Sequence, residues 1–344
     1  MDRELVQEKR KLPVPLDSGL LYTVVALYYV YVSQIIVKFE FNDTVNLILC
    51  QIMFFLLPPL LLAWVRRYDI KKTFRLKAPR PLEVFLMLLI SPVMVIAGLC
   101  AGVIALLGVK AVFGRVLITG EISDLMNQGV LVSLLLVAVL PAICEEFLFR
   151  GLIQKGMEGL GAGWAIFLSG LLFGLFHFDF QRLAAQTLLG MISAYVTYRT
   201  GSIFNGMILH FMNNGLLTLI SNYATRMTEG APQVQVVTDP FGTPEFMELA
   251  ASNGMTLNQL LGIMSVVLTV VLAISLVVIF GLLLIVKTIT RKTVEAPEKI
   301  KGSAKGLFLG IPGLLLIGIV YVSLGLMLAE NPLGRQILIF FGFS

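Results

Sequence analysis

The chain has 344 residues, of which 57% are hydrophobic and 14% charged, with a mean hydropathy of +0.89 and a formal net charge of +5. Soluble globular domains are roughly 45–50% apolar and about 25% charged, so this composition excludes an ordinary cytosolic enzyme, a disordered chain and a disulfide scaffold. It predicts an all-α, polytopic membrane helix bundle. The Lys and Arg residues lie in a few short loops, where membrane topology explains them without a nucleic-acid partner.

The apolar runs, taken in chain order, predict about eight to nine transmembrane helices. Each run is about long enough to cross a hydrocarbon core of ~30 Å, although two of them, 163–178 and 183–198, are short. The nine runs are 20–37, 45–65, 83–108, 129–150, 163–178, 183–198, 203–221, 260–286 and 306–328.

These runs divide the chain into four predicted regions. They are an N-terminal transmembrane region at 1–128, a central transmembrane region at 129–221, an extracytoplasmic loop at 222–259, and a C-terminal transmembrane region at 260–344.

The distribution of Lys and Arg predicts the orientation. With the N-terminus inside, 20 of the 26 basic residues fall in inside segments and 6 in outside segments. Cytoplasmic loops carry the excess of Lys and Arg in membrane proteins. We therefore expect a multi-pass protein of the cell membrane with a cytoplasmic N-terminus.

Ionisable side chains within the apolar runs are few and clustered, and such residues usually mark function because burying them in a membrane is costly. The run 129–150 carries two adjacent acids and an arginine. The chain's two histidines lie in the runs 163–178 and 203–221.

Helical spacing favours an ion pair between Glu146 and Arg150, which are four residues apart with the acid N-terminal. Glu145 is turned by ~100° from Glu146 on a helix, so it is predicted to remain available.

A Gly-rich turn at 159–163 predicts a helical hairpin. Glu145 lies 16 residues before Gly161 and His177 lies 16 residues after it. In an antiparallel hairpin Glu145 and His177 therefore lie at the same distance from the turn, provided that the first helix continues past Arg150 to about Glu158. A Gly-x-x-x-Gly pattern at 170–174 predicts close helix packing in the second arm.

Three short motifs now stand in order along the chain: EExxxR at 145–150, FxxxH at 173–177 and HxxxN at 210–214. Together they resemble the CPBP family of intramembrane endopeptidases, which includes the type II CAAX prenyl proteases and their bacterial relatives. The resemblance covers about 129–221 and implies that this region is the catalytic core.

The resemblance implies hydrolysis of a peptide bond in a membrane-associated or lipidated peptide or protein. It implies that Glu145 and His177 activate the attacking water, that His210 and Asn214 bind the developing oxyanion, and that Glu146 with Arg150 supports the helix geometry. A carboxylate buried among apolar side chains is a competent general base near neutral pH, which agrees with these roles.

A metal-dependent version is the alternative to this cofactor-free mechanism. Glu145, His177 and His210 are residue types that a catalytic zinc accepts. The HExxH spacing typical of zinc proteases is absent from the sequence, and the metal-free mechanism is favoured.

Two functions of other classes stay open. One is a non-catalytic membrane adaptor or bacteriocin-immunity-type protein of the same family. The other is a proton-coupled transporter that uses Glu145 and His177 as a relay. An aspartyl protease fits poorly, because every Asp lies outside or at the edge of a predicted span.

Overall fold

The computed structural model describes residues 11–116, 129–227, 239–292, 294 and 303–341. Within these ranges the regular structure is helical, and the β interaction is a single isolated bridge between Lys11 and Tyr68. The predicted all-α class is confirmed for this part of the chain. The predicted loop at 222–259 lies partly outside the described residues, as does the end of the predicted N-terminal region.

The described helices are numbered here in chain order. They are α1 (Pro15–Val37), α2 (Asp43–Val65), α3 (Ile70–Thr73), α4 (Pro81–Phe113), α5 (Val130–Leu160), α6 (Ala162–Leu175), α7 (Phe180–Thr200), α8 (Ile203–Met227), α9 (Pro244–Ser252), α10 (Leu257–Ile289), α11 (Ala304–Leu328) and α12 (Pro332–Phe340).

Seven of the described helices are long and apolar enough to cross a membrane: α1, α2, α4, α5, α8, α10 and α11. The predicted eight to nine crossings also counted α6 and α7, which do not meet that standard. Helix α6 has 14 residues and spans only about 21 Å. Helix α7 has 21 residues but carries several polar side chains along its length. If α6 and α7 both cross, the described helices make nine crossings, and if neither crosses they make seven. Both numbers are odd, so the predicted orientation is the same in the two cases.

Helices α5 and α6 form the predicted hairpin. Helix α5 continues through Leu160, well past Arg150, as the level placement of Glu145 and His177 requires. Gly161 separates the two helices at φ +106°, a backbone conformation that a residue with a side chain rarely adopts. The sequence-based interpretation of this turn is confirmed.

The polar end of α5 does not project freely, because the loop after α3 folds over it. Phe74 is fully buried and packs against Phe147, and its ring occupies the space that a side chain at Gly151 would need. Arg75 forms a buried ion pair with Glu158. This loop therefore holds the cytoplasmic end predicted for α5 inside the bundle.

Helix α5 lies at the centre of the bundle, where it packs against α1, α2, α6 and α8. It contains two π-helical segments, Leu134–Val139 and Phe147–Ile153, on either side of the two adjacent acids. A third π-helical segment, Gln51–Leu56, lies in α2. Such segments are rare and occur often at functional sites, because the extra residue per turn redirects side chains and carbonyl groups.

Four other elements donate hydrogen bonds to carbonyl groups of the π-helical segments of α5. The pairs are Asn214 Nδ2 with Val137 O (3.0 Å), Ser169 Oγ with Phe149 O (3.1 Å), Arg75 Nη1 with Arg150 O (3.2 Å) and Ser18 Oγ with Ile153 O (2.9 Å). Buried carbonyl groups need such partners, so these bonds stabilise the distorted helix at the point where it carries the acids.

Candidate active site

The three motifs meet at the centre of the bundle. The acids Glu145 and Glu146 lie on the short α-helical stretch of α5 between its two π-helical segments. His177 follows the last turn of α6, and His210 and Asn214 lie on α8. Helix α2, which the motifs do not include, also contributes to the site, because Gln51 on α2 contacts Glu145.

Glu146 is fully buried and has two basic neighbours. Its Oε2 lies 3.2 Å from Arg150 Nε, and its Oε1 lies 3.1 Å from His210 Nδ1. The Arg150 guanidinium also lies over the ring of Phe173, 4.4 Å from its centroid, which is a favourable cation–π distance. The ion pair predicted from helical spacing is thus present, and His210 is a second partner that the spacing did not predict.

Gly206 on α8 makes this arrangement possible. A Cβ atom at position 206 would lie 2.7 Å from Glu146 Oε2, closer than real carbon and oxygen atoms approach. The absence of a side chain therefore lets α8 approach α5 closely enough for His210 to reach the buried carboxylate.

Glu145 has a different environment from its neighbour. Its side chain is 10% exposed, whereas that of Glu146 is 0% exposed. Its Oε1 accepts a hydrogen bond of 2.9 Å from Gln51 Nε2 on α2, and its Oε2 lies 3.8 Å from His210 Nε2. Glu145 is therefore held by neutral and histidine neighbours and remains the more accessible acid, while Arg150 pairs with the inaccessible one.

His177 is oriented by the first residue of its own motif. Its Nδ1 lies 2.9 Å from the carbonyl oxygen of Phe173, four residues earlier. A carbonyl oxygen only accepts, so Nδ1 carries the hydrogen and Nε2 of the neutral ring keeps its lone pair. His177 is partly exposed and lies near enough to Glu145 and His210 to interact with both electrostatically. The ring is thus presented with a free basic nitrogen.

Asn214 is already engaged by its neighbours. Its Nδ2 donates to Val137 O, and its Oδ1 accepts a 3.1 Å hydrogen bond from Asn213 Nδ2. An amide nitrogen has two hydrogens, so one remains for another acceptor. The contact with Val137 sets the direction of that second hydrogen.

The α6–α7 hairpin positions His177 through direct backbone contact. A Cβ atom at Gly170 would lie 2.6 Å from Met191 N, and one at Gly190 would lie 2.8 Å from Gly170 Cα. Only glycine fits at such a crossing. The predicted close packing of the 170–174 pattern is confirmed, and its partner is α7.

The described residues contain no group of three His, Cys, Asp or Glu side chains placed so that they hold a metal ion. Glu145, His177 and His210 were the predicted ligands of the zinc alternative, and all three belong to the described part of the chain.

The aromatic ring of Phe173 links the polar groups. Its centroid lies 4.9 Å from that of His177 and 5.6 Å from that of His210, in addition to its contact with Arg150. The phenylalanine of FxxxH therefore supplies both a carbonyl acceptor and an apolar wall.

Residues 127–216 match the model of a protein family described as Rce1-like, type II CAAX prenyl endopeptidase. The chain thus carries an Rce1-like domain over these residues, within a protein that has seven helices long and apolar enough to cross a membrane. The match includes all three motifs and confirms the family resemblance drawn from them. No curated protein and no solved structure matches the chain. Helices α1, α2 and α4 lie outside the matched segment.

Sequence reasoning missed two neighbours of the acids, Gln51 and Gly206. The signal for Gln51 was present, since it is a lone amide in the apolar run 45–65. Gly206 carries no comparable signal, because nothing in the sequence shows which glycine faces a carboxylate.

Proposed function

We propose that the protein is an intramembrane endopeptidase that hydrolyses a peptide bond of a membrane-associated or lipidated peptide or protein. The observation that carries this proposal is the asymmetry between two adjacent acids. Glu146 is fully buried and paired with Arg150, whereas the side chain of Glu145 is 10% exposed and lies near His177 and His210. Paired titratable groups in different environments are typical of acid–base catalysis.

In this mechanism Glu145 and His177 activate a water molecule. The carboxylate of Glu145 takes a proton from the water while the water oxygen attacks the carbonyl carbon of the substrate. The Nε2 lone pair of His177, which the Nδ1 contact with the Phe173 carbonyl leaves available, shares that proton. When the C–N bond breaks, the proton passes to the leaving amine, so the step balances without a further reactant.

His210 and Asn214 stabilise the negative charge that develops on the substrate oxygen. His210 Nδ1 lies 3.1 Å from Glu146 Oε1, whereas His210 Nε2 lies 3.8 Å from Glu145 Oε2, which is beyond hydrogen-bond distance. A hydrogen on Nε2 is therefore not bonded to an acid and can be donated to the substrate oxygen. The remaining amide hydrogen of Asn214 supplies a second donor, and such donors contribute ~3–4 kcal/mol each in a dry site.

The substrate is proposed to reach the site from within the bilayer. The matched family is described as a type II CAAX prenyl endopeptidase. A prenylated peptide is therefore the first substrate to test, with a membrane-anchored peptide as the second. The protein is proposed to act in the cell membrane with its N-terminus in the cytoplasm.

The test compares three purified proteins on an internally quenched, prenylated CAAX peptide in detergent. Glu145→Gln keeps the shape of the side chain and removes the base, so we expect ~10²–10⁴-fold slower cleavage. Glu83→Gln is the matched control, because Glu83 is also a buried carboxylate but lies on α4 with Arg80 and Asn205 as its partners. Wild-type rates from Glu145→Gln would refute the assignment of the base.

A comparison of membrane peptidomes identifies the substrate when the test peptide is not cleaved. Cells with the wild-type protein and cells with Glu145→Ala are compared. Fragments that disappear in the variant are the products.

A non-catalytic role is the second candidate. One observation favours it: Asn214 is already bonded to Val137 and Asn213, so part of the motif serves the helix bundle. An adaptor would keep its cellular effect in Glu145→Gln, whereas a protease would lose it.

A further inference from the structure

Gln51 is a buried amide in the membrane-spanning helix α2, and it is 6% exposed. It is the first residue of the π-helical segment Gln51–Leu56. Its Nε2 donates a 2.9 Å hydrogen bond to Glu145 Oε1 across a sequence separation of 94 residues. A carboxylate only accepts, so this contact also determines which end of the amide faces the acid.

The contact restrains the part of Glu145 that is least restrained by its own helix. The last torsion of a glutamate side chain is broad, so the helix alone leaves the carboxylate plane undefined. Gln51 holds Oε1 from α2, and His210 faces Oε2 from α8 at 3.8 Å. The carboxylate therefore lies between two helices that approach it from different sides.

We propose that Gln51 is a positioning residue that holds the Glu145 carboxylate in the orientation needed for proton transfer. This inference rests on the proposed function. The family match begins at residue 127 and therefore assigns nothing to position 51. The consequence is that α2 belongs to the active site, so the catalytic unit is larger than the matched segment.

Gln51→Met tests the proposal, because methionine keeps the length of the side chain and removes the amide. Small displacements of a catalytic group cost up to about 100-fold in rate, so we expect kcat to fall roughly 10–100-fold with KM unchanged. An unchanged kcat, or a loss confined to KM, would overturn the positioning role.

Gln154→Met is the matched control. Gln154 is also fully buried in the membrane bundle, and its Nε2 donates to Ala194 O at 2.8 Å. Neither Gln154 Oε1 nor Gln51 Oε1 has a hydrogen-bond partner among the described residues. The two variants thus remove the same group from similar surroundings, and only Gln51 contacts the base. We expect Gln154→Met to keep the wild-type kcat.

Gln51→Glu separates positioning from space filling. It keeps the shape and polarity of the side chain but replaces the donor with an oxygen that faces another carboxylate. We expect a loss of kcat at least as large as that of Gln51→Met. A carboxyl group at position 51 that keeps its proton could itself donate to Glu145, so this variant is interpreted together with Gln51→Met. Full activity of both variants would show that the donor is irrelevant and would overturn the proposal.

A double-mutant cycle in thermal unfolding separates failure of this inference from failure of the proposed function. Residues in contact give non-additive effects, so Gln51→Met should lower Tm less in a Glu145→Ala background than in the wild type. Additive shifts would show that the two side chains do not interact and would overturn the proposal. A wild-type protein that cleaves neither the prenylated peptide nor a peptide found in the peptidome comparison would refute the proposed function, and the cycle would still decide whether Gln51 holds Glu145.

Discussion

Replacing Gly170 with alanine should loosen the hairpin that positions His177. The added Cβ would lie 2.6 Å from the backbone nitrogen of Met191, whereas ordinary contacts begin at 3.4 Å. Helices α6 and α7 must therefore separate by roughly 0.8 Å, a gap that forfeits a quarter or more of the dispersion energy at the contact. Overpacking of this kind costs about 1–3 kcal/mol.

The measurement is thermal unfolding of the purified protein in detergent, followed by kinetics on a cleaved peptide. We expect Gly170→Ala to lower Tm by roughly 2–10 °C. His177 follows directly on the end of α6, so a shift of nearly 1 Å should also lower kcat by up to about 100-fold.

Gly163→Ala is the control for this prediction, since it makes the same change in the same helix. A Cβ at Gly163 meets no described atom within 4 Å. Alanine favours a helix over glycine by about 1 kcal/mol, so this variant should be as stable as the wild type or slightly more stable. Equal Tm values for the two variants would refute the reasoning that α6 and α7 touch through their backbones.

Four further predictions concern the buried ion pair, the shared base, metal dependence and the topology. Arg150→Met should destabilise the protein by ~3–5 kcal/mol, because it leaves a buried carboxylate without its cation; a normal Tm would show that the pair does not form. The double variant Glu145→Gln/His177→Ala should be about as slow as the slower single variant, since residues that act as one unit are non-additive; multiplying losses in kcat would contradict a shared role. Exhaustive chelation should leave cleavage unchanged, and loss of activity that zinc restores would favour the metal mechanism. Cysteines introduced at positions 235 and 301 should be labelled from opposite sides of the membrane, and labelling from one side would contradict the orientation.

The ion pair between Glu146 and Arg150 leaves the neighbouring Glu145 without a cationic partner on its own helix. Arg150 is fully buried and lies four residues after Glu146, so it neutralises the acid on its own helix face. Burying an unpaired charge is costly, and this pairing lets the helix carry a second carboxylate into the bundle. Glu145 is then left with Gln51 and His210, which hold it without a full-strength salt bridge.

The sequence determined the parts of this protein that depend on local chemistry. Apolar length predicted nine runs, of which seven correspond to described helices long and apolar enough to cross a membrane. The hairpin turn at Gly161 and the continuation of α5 to Leu160 followed from glycine placement and residue counting. The i,i+4 spacing identified the ion pair of Glu146 and Arg150, because both residues lie on one helix with known geometry. The motifs identified the family, since they also depend only on local spacing.

The tertiary structure decided which groups meet across helices. The helices of this chain are apolar on nearly every face, because the sides that face lipid and the sides that face protein have the same composition. Their sequences therefore do not reveal how each helix is rotated about its axis. That rotation, together with the π-helical segments, brings Gln51 to Glu145, His210 to Glu146 and Asn214 to the carbonyl of Val137. The same limit explains why α6 and α7 were counted as spans: apolar composition alone does not distinguish a helix packed against protein from one that crosses the bilayer.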